Sequence, residues 1–330
     1  MEHHQTKSSS APLRPIRCII KLGGAAITCK NDFETINEEN LNIVSSQIRE
    51  AMVSKSVFSK VIGMDWSKRP GMSQTPTVDI SDQDVIESHN FIVVHGAGSF
   101  GHFQASKSGV HKGGLSRTLV KSGFVATRIS VTSLNLDIVR ALAREGIPAT
   151  GMSPFSCGWL TCRRNIAAAD VSMVARAIDS GFIPVLHGDA VLDTAQECTI
   201  LSGDLIISHL AAKLRPDFVV FLTDVYGVYD RPPTEPNATL LREIAVHEDG
   251  SWSVIKPILQ GSNKVEMTAA AHDTTGGMET KIAEAAVIAK LGIDVYIVKA
   301  ATEHSLKALS GSLKDEIPED WLGTVIRLAR

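Results

Sequence analysis

Three glycine-rich turns, each accompanied by a lysine or a histidine, are the residues of this chain best suited to chemistry, and the chemistry they suit is the handling of phosphate. The first, Gly23-Gly24-Ala25-Ala26-Ile27-Thr28, follows Lys21 and precedes Lys30. The second is His95-Gly96-Ala97-Gly98-Ser99-Phe100-Gly101-His102, and the third is Asp273-Thr274-Thr275-Gly276-Gly277-Met278 with Lys281 close behind. Glycine lets backbone N–H groups approach an oxyanion with no Cβ in the way, and a helix starting at such a turn favours negative charge at its N-terminus. His102 closes the second turn with a side chain that can donate to phosphate.

Other nucleotide chemistries fit less well. Gly96, Gly98 and Gly101 have the G-x-G-x-x-G spacing of a dinucleotide unit, but that unit places the turn after the first strand and an acidic residue about 20 positions later. Here an earlier strand exists, and no Asp or Glu lies between Gly101 and Asp137. Hydride transfer therefore ranks last. The chain has no G-x-x-x-x-G-K-[ST] either, which removes the Walker type of site.

The elements that must position these turns are short apolar runs at wide spacing: 18–22, 91–95, 183–187, 218–223, 294–298 and 324–328. Near-continuous β-branched runs suit strands buried on both faces of a parallel sheet. Helical patterns lie between them at 38–53, 116–145, 167–180, 204–214 and 278–291. The alternation predicts an α/β fold, a three-layer α/β/α sandwich with a central, mainly parallel sheet. Other strand ends also lead into small or acidic residues: Gly188-Asp189, Ser202-Gly203-Asp204 and Thr223-Asp224. Ligands in open α/β sheets sit at the carboxyl ends of strands, so these turns would line one crevice. Asp189 and Asp224 read equally as turn residues, and Asp224 also as a helix N-cap. His95 and His187, at the ends of apolar strands, read as buried structural residues.

The organisation expected is a flexible tail over 1–15 and a single domain over 16–330, whose acceptor half covers about 16–200 and nucleotide half about 201–330. A polar insertion over about 64–84, rich in proline, serine and threonine, interrupts it. With 330 residues, 44% hydrophobic and 21% charged, the chain can bury a substantial core. A net charge of -3 and scattered basic residues give no electrostatic case for nucleic acid. Five cysteines without a C-x-x-C pair indicate a reducing compartment, with packing rather than metal ligation for Cys157 and Cys162. No run reaches the length of a membrane span, and Met1 to Pro15 lacks the core of a secretory signal, so the expected location is cytoplasmic.

Taken in order, Lys21-Leu22-Gly23-Gly24, the turn from His95 to His102, Gly188-Asp189, Ser202-Gly203-Asp204, the segment Thr223-Asp224-Val225-Tyr226-Gly227-Val228-Tyr229 and Thr275-Gly276-Gly277-Met278 resemble the amino-acid kinase superfamily. Within it, the turn ending in His102 and the position of Lys30 resemble members that phosphorylate isopentenyl phosphate. The resemblance runs from about Cys18 to the C-terminus. It departs at Ala25 and Ala97, where glycine or serine is common, and in the insertion.

That resemblance implies the amino-acid kinase fold, transfer of the ATP γ-phosphoryl group to isopentenyl phosphate, Mg²⁺ held mostly by phosphates and water with no protein metal site, and a homodimer. It also implies that Lys21 bridges donor and acceptor phosphates, Lys281 acts at the β/γ side, Lys30 assists at the transferred group and Asp204 orients the lysines. Gly96, Ala97, Gly98, His102 and Gly188 are the candidate acceptor contacts. Lys21, Gly23, Gly24, Thr223, Asp224, Tyr229, Gly276 and Lys281 are the candidate ATP contacts. A prenyl tail needs an apolar slot, for which Phe124, Val125, Phe155 and Trp159 are candidates, although helix-spaced apolar residues also read as plain core. Kinases of this fold acting on UMP, fosfomycin, carbamate or an amino-acid carboxylate are the near alternatives. A nucleotide-binding regulator without turnover is the more distant one.

Overall fold

The computed structural model describes residues 14–29, 32–52, 64, 90–257, 278–314 and 316–329, with backbone alone for 278–281. The strands in chain order are β1 (Ile16–Leu22), β2 (Asn90–His95), β3 (Ala149–Met152), β4 (Leu160–Cys162), β5 (Asn165–Ala168), β6 (Ile183–His187), β7 (Asp189–Asp193), β8 (Glu197–Leu201), β9 (Phe218–Thr223), β10 (Val228–Tyr229), β11 (Leu240–Leu241), β12 (Glu243–Val246), β13 (Trp252–Lys256), β14 (Asp294–Lys299) and β15 (Thr324–Leu328). The helices are α1 (Gly24–Ile27), α2 (Glu38–Met52), α3 (Gly98–Ser108), α4 (Thr118–Arg144), α5 (Ser172–Asp179), α6 (Gly203–Leu214), α7 (Met278–Ala289) and α8 (Glu303–Leu309).

A nine-stranded sheet in the order β13-β12-β15-β14-β9-β1-β2-β6-β3 forms the centre. All its pairings are parallel except β12–β13 and β14–β15. The expected sandwich with a mainly parallel sheet is the architecture found. From β1 the chain lays β2 beside it, places β3 at the edge and inserts β6 between β2 and β3, then returns to add β9 and β14 on the other side of β1. Such a reversal leaves a crevice at the strands' carboxyl ends.

Alternation along the buried strands decides what faces each helical layer. In β1, Cys18, Ile20 and Leu22 enter the core shared with α2, α4 and α8, whereas Ile19 enters the core shared with α5, α6 and α7. Lys21, two residues after Ile19, is thereby directed to the α6/α7 side. Burial of each such aliphatic side chain contributes on the order of 1.5–3 kcal/mol, which fixes the strand's register and with it the lysine.

The segment 165–168 is a strand, β5, and not the opening of a helix. Arg163 and Arg164 adopt φ of 49° and 68°, a tight reversal that folds β5 back on β4. The helix starts only at Ser172, whose N–H donates to Asp170 Oδ1 at 2.8 Å. β4, β5, β7 and β8 form a separate four-stranded sheet. Of the polar insertion only Met64 is among the described residues, and of the N-terminal tail only Arg14 and Pro15. Among the described residues no helix is long and apolar enough to cross a membrane.

Candidate active site at the carboxyl rim

Register brings the turns together. Leu22 pairs with His95 and Leu222, His95 pairs with His187, and Thr223 pairs with Lys299, so these strands end at one level. Each turn is then stapled to the adjacent strand: Gly23 N–H donates to Leu222 O at 2.8 Å, Gly96 N–H to Leu22 O at 3.0 Å and Gly188 N–H to His95 O at 3.0 Å.

The first two glycine turns touch back to back. A Cβ on Gly24 would lie 2.2 Å from the backbone nitrogen of Gly98, a separation no real side chain tolerates. Gly98 opens α3 at φ 54°, and a Cβ there would lie 2.3 Å from Thr28 Oγ1. Thr28 latches the two: its hydroxyl donates to Gly24 O at 2.8 Å and accepts from Ser99 N–H at 3.1 Å. This role of Thr28 was not read from the sequence, where only its place four residues after Gly24 pointed to it. Gly101, counted above among the anion-facing glycines, instead lets α3 press on α4, since a Cβ there would meet Val131 Cγ1 at 2.6 Å.

His95 and His187 are buried, as their strand-end positions predict, and their rings stack at 5.6 Å. Burial, with the neighbouring His187, pushes the pKa of His95 down to about 3; burial also lowers that of His187. A neutral His95 with its proton on Nδ1 satisfies both neighbours. Nδ1 lies 2.9 Å from Gly96 O, and Asn135 Nδ2 can donate to Nε2 at 3.1 Å and to Val185 O at 3.0 Å. His187 Nδ1 is likewise 3.0 Å from Gly188 O. The two rings thus hold the carbonyls of both turn glycines. His102 is exposed on α3, where partial desolvation of its ring lowers its pKa.

Lys21 forms an ion pair with Asp204 Oδ1 and lies 3.7 Å from Glu284 Oε2, with Nζ 4.9 Å from the centre of the Phe221 ring. Asp204 is in the first turn of α6, where a carboxylate complements the helix dipole and Ser202 caps the end by accepting from Leu205 N–H at 3.2 Å. The structure therefore brings Lys21 and Asp204 together. Lys30 and Gly276 lie outside the described residues, and Lys281 has its backbone in the first turn of α7.

On the β9 side, Thr223 is buried and its hydroxyl donates to Val225 O at 2.7 Å. Asp224 and Tyr229 are half-buried, and burial raises the Tyr229 pKa. Asp224 precedes a run of bends and caps no helix. Lys299, passed over in the sequence, ends β14 with Nζ 5.1 Å from the Tyr226 ring centre.

Asp189 is fully buried at the start of β7 and does more than form a turn. It accepts from Ser153 Oγ at 2.7 Å, Phe155 N–H at 3.3 Å and Arg128 Nε at 3.3 Å. The Phe155 ring is held between Arg128, 4.2 Å away, and Phe124, 5.5 Å away. The other two slot candidates are placed elsewhere. Trp159 is 1% exposed, stacks edge-on with His209 and donates to Asp170 O at 3.2 Å, so it is core; Val125 is 54% exposed on the outer face of α4. Among the described residues no group of three His, Cys, Asp or Glu could hold a metal ion.

A doubly wound sheet whose rim carries back-to-back glycine turns and a carboxylate-held lysine has parts suited to holding phosphorylated small molecules and neutralising charge between them. The sequence matches the amino acid kinase family over residues 17–299, and the chain belongs to that family. It is 67% identical to the isopentenyl phosphate kinase of Arabidopsis thaliana, covering 98% of both chains, and 32% identical to that of Methanothermobacter thermautotrophicus, covering 89% of this chain and 95% of the relative. Among solved structures, an isopentenyl phosphate kinase aligns with a TM-score of 0.66 at 28% identity, over 94% of this chain and 99% of the other.

Proposed function

We propose that this chain transfers the γ-phosphoryl group of ATP to isopentenyl phosphate, giving isopentenyl diphosphate and ADP. The observation that carries the reading is Lys21, a cation held by Asp204 at the level where the glycine turns meet, in a chain 67% identical to a protein named for this activity. The acceptor, a phosphate monoester with a second pKa of about 6, is largely ionised at neutral pH and needs no general base. What remains is to align two mutually repelling anions and neutralise charge on the transferred group.

Lys21 bridges the two phosphates, with Lys30 at the transferred group, Lys281 at the β/γ side and Asp204 orienting the lysines. Ala97 and Gly98 offer backbone N–H groups to the acceptor phosphate, Gly96 and Gly188, whose own N–H groups are bonded to Leu22 O and His95 O, make room for it by lacking a Cβ, and His102 donates to it, which favours a phosphorylated acceptor over a carboxylate. Gly23, Gly24, Thr223, Asp224, Tyr229 and Gly276 contact ATP. Asp204 and Glu284 face Lys21, so the donor set fits a Mg²⁺ carried by nucleotide phosphates and water, which shields charge on the polyphosphate. Phe124 and Phe155 line the prenyl end. The single domain over 16–330 divides into an acceptor half to about residue 200 and a nucleotide half beyond it.

We place the protein in the cytoplasm, where its free cysteines stay reduced, with neither nucleic acid nor membrane as partner, and as a homodimer. Exposed Val125, Ile129 and Leu136 follow one another at helical spacing on the outer face of α4 and supply an apolar face for a second copy. Ile129→Glu should then give a monomer in sedimentation.

Purified protein with Mg-ATP, tested on isopentenyl phosphate, dimethylallyl phosphate, UMP, fosfomycin, carbamate and N-acetylglutamate, should release ADP with the prenyl phosphates and yield the diphosphate by mass. Turnover confined to another acceptor would overturn the substrate. No turnover on any would overturn the catalytic reading in favour of a nucleotide-binding regulator.

A further inference from the structure

We propose that Glu284 is a positioning residue for Lys21, the second of two carboxylates that hold its ammonium between α6 and α7; this rests on reading Lys21 as the cation that bridges the two phosphates. Asp204 approaches Nζ from α6, and Glu284 Oε2 stands 3.7 Å away on the neighbouring α7. The three side chains are 13%, 23% and 24% exposed, well sheltered compared with the solvated pairs whose contribution is near zero. The Phe221 ring supplies a further wall.

The charge count calls for an explanation. A carboxylate beside the binding place of two polyanions repels them, and one partner, Asp204, would suffice to neutralise one ammonium. Position is what a second carboxylate adds. A single one draws Nζ toward its own helix, whereas opposed carboxylates on adjacent helices keep the cation between them. Glu284 also follows Lys281 by three residues along the same helix, α7. Any displacement of α7 that moves Lys281 moves Glu284, which ties the two lysines together.

Glu284→Gln keeps length and hydrogen-bonding capacity but removes the charge. It should lower kcat roughly tenfold, as misplacement of a reacting group does, with the KM for ATP unchanged or reduced because repulsion is relieved. Glu284→Asp should recover part of the loss. In a Lys21→Met background, Glu284→Gln should change the residual kcat by less than about twofold, since a residue acting through Lys21 has nothing left to position. An equal loss in both backgrounds, or a fall in thermal midpoint with a raised KM and unchanged kcat, would overturn the proposal. Full kcat in Lys21→Met alone would instead remove the reading of Lys21 beneath it, whatever Glu284 does.

Discussion

The two sides of the carboxyl rim are held by different physics. On the β2–β6 side, positions are set by exclusion and by neutral hydrogen bonds: Gly24 lies against Gly98, the Thr28 hydroxyl latches α1 to α3, and His95 and Asn135 are buried and satisfied without charge. On the α6–α7 side, Lys21, Asp204 and Glu284 are partly exposed and held by charge. A turn shaped by exclusion keeps its form when ions or substrates arrive, whereas a cluster of charges can exchange partners with a polyphosphate. The difference assigns geometry to one side and response to the other. Substitutions should therefore fail in distinct ways.

The largest effect is expected on the charged side. Lys21→Met should lower kcat by about 10²–10³, the range for losing one preorganised charge-stabilising group, while the thermal midpoint stays close to that of the parent. A large loss of stability would show that Lys21 is structural, and the contrast between the two sides would collapse. Gly24→Ala tests the other side, because its Cβ would meet backbone that cannot swing away. It should cost about 1–3 kcal/mol of stability and lower kcat/KM for both substrates, to the same degree at low and high salt. A salt-dependent loss would mean that the turn, too, is set by charge.

Removing the amide beneath the turns should have a comparable but purely structural cost. Asn135→Leu leaves His95 Nε2 and Val185 O without their donor, at about 1–3 kcal/mol in denaturant unfolding. Acid should expose the same ring. The folded His95 titrates at about 3 and the unfolded one near 6.5, so between these values the unfolded chain binds the extra proton. Its stabilising contribution is present above pH 6.5 and is lost as pH falls toward 3. Thermal midpoints across that window should decline with acid, and His95→Gln should flatten the decline; an unchanged slope would locate the proton uptake elsewhere.

How much of this was legible in the sequence follows from the same division. The strands of the central sheet are apolar along nearly their whole length, because both faces are covered, and β1, β2, β6 and β9 could be read to within two residues. The first two glycine turns were legible because they follow β1 and β2 directly, and Asp204 because Ser202-Gly203 leads into it from the apolar end of β8. Glu284 was not: in a helix rich in alanine it looks like any solvated glutamate, and only the packing of α6 beside α7 turns it toward Lys21. Arg128 and Asp189, distant in sequence, meet through the fold alone. Trp159 misled for a related reason, since an aromatic in a loop near the site is indistinguishable in sequence from one that plugs the core.

The smallest expected effect is the most discriminating test of the exclusion side. Thr28→Val keeps the volume and branching of the side chain but removes the hydroxyl that donates to Gly24 O and accepts from Ser99 N–H. If steric exclusion between Gly24 and Gly98 already fixes the turns, the loss should be that of an ordinary hydrogen-bonded pair, about 1 kcal/mol, with kcat nearly unchanged. If the latch is what keeps α3 pointed at the acceptor phosphate, the KM for isopentenyl phosphate should rise severalfold while the KM for ATP holds. Stability and the two KM values measured on one variant therefore separate a turn that is merely filled from one that is aimed, because packing alone cannot raise one KM and spare the other.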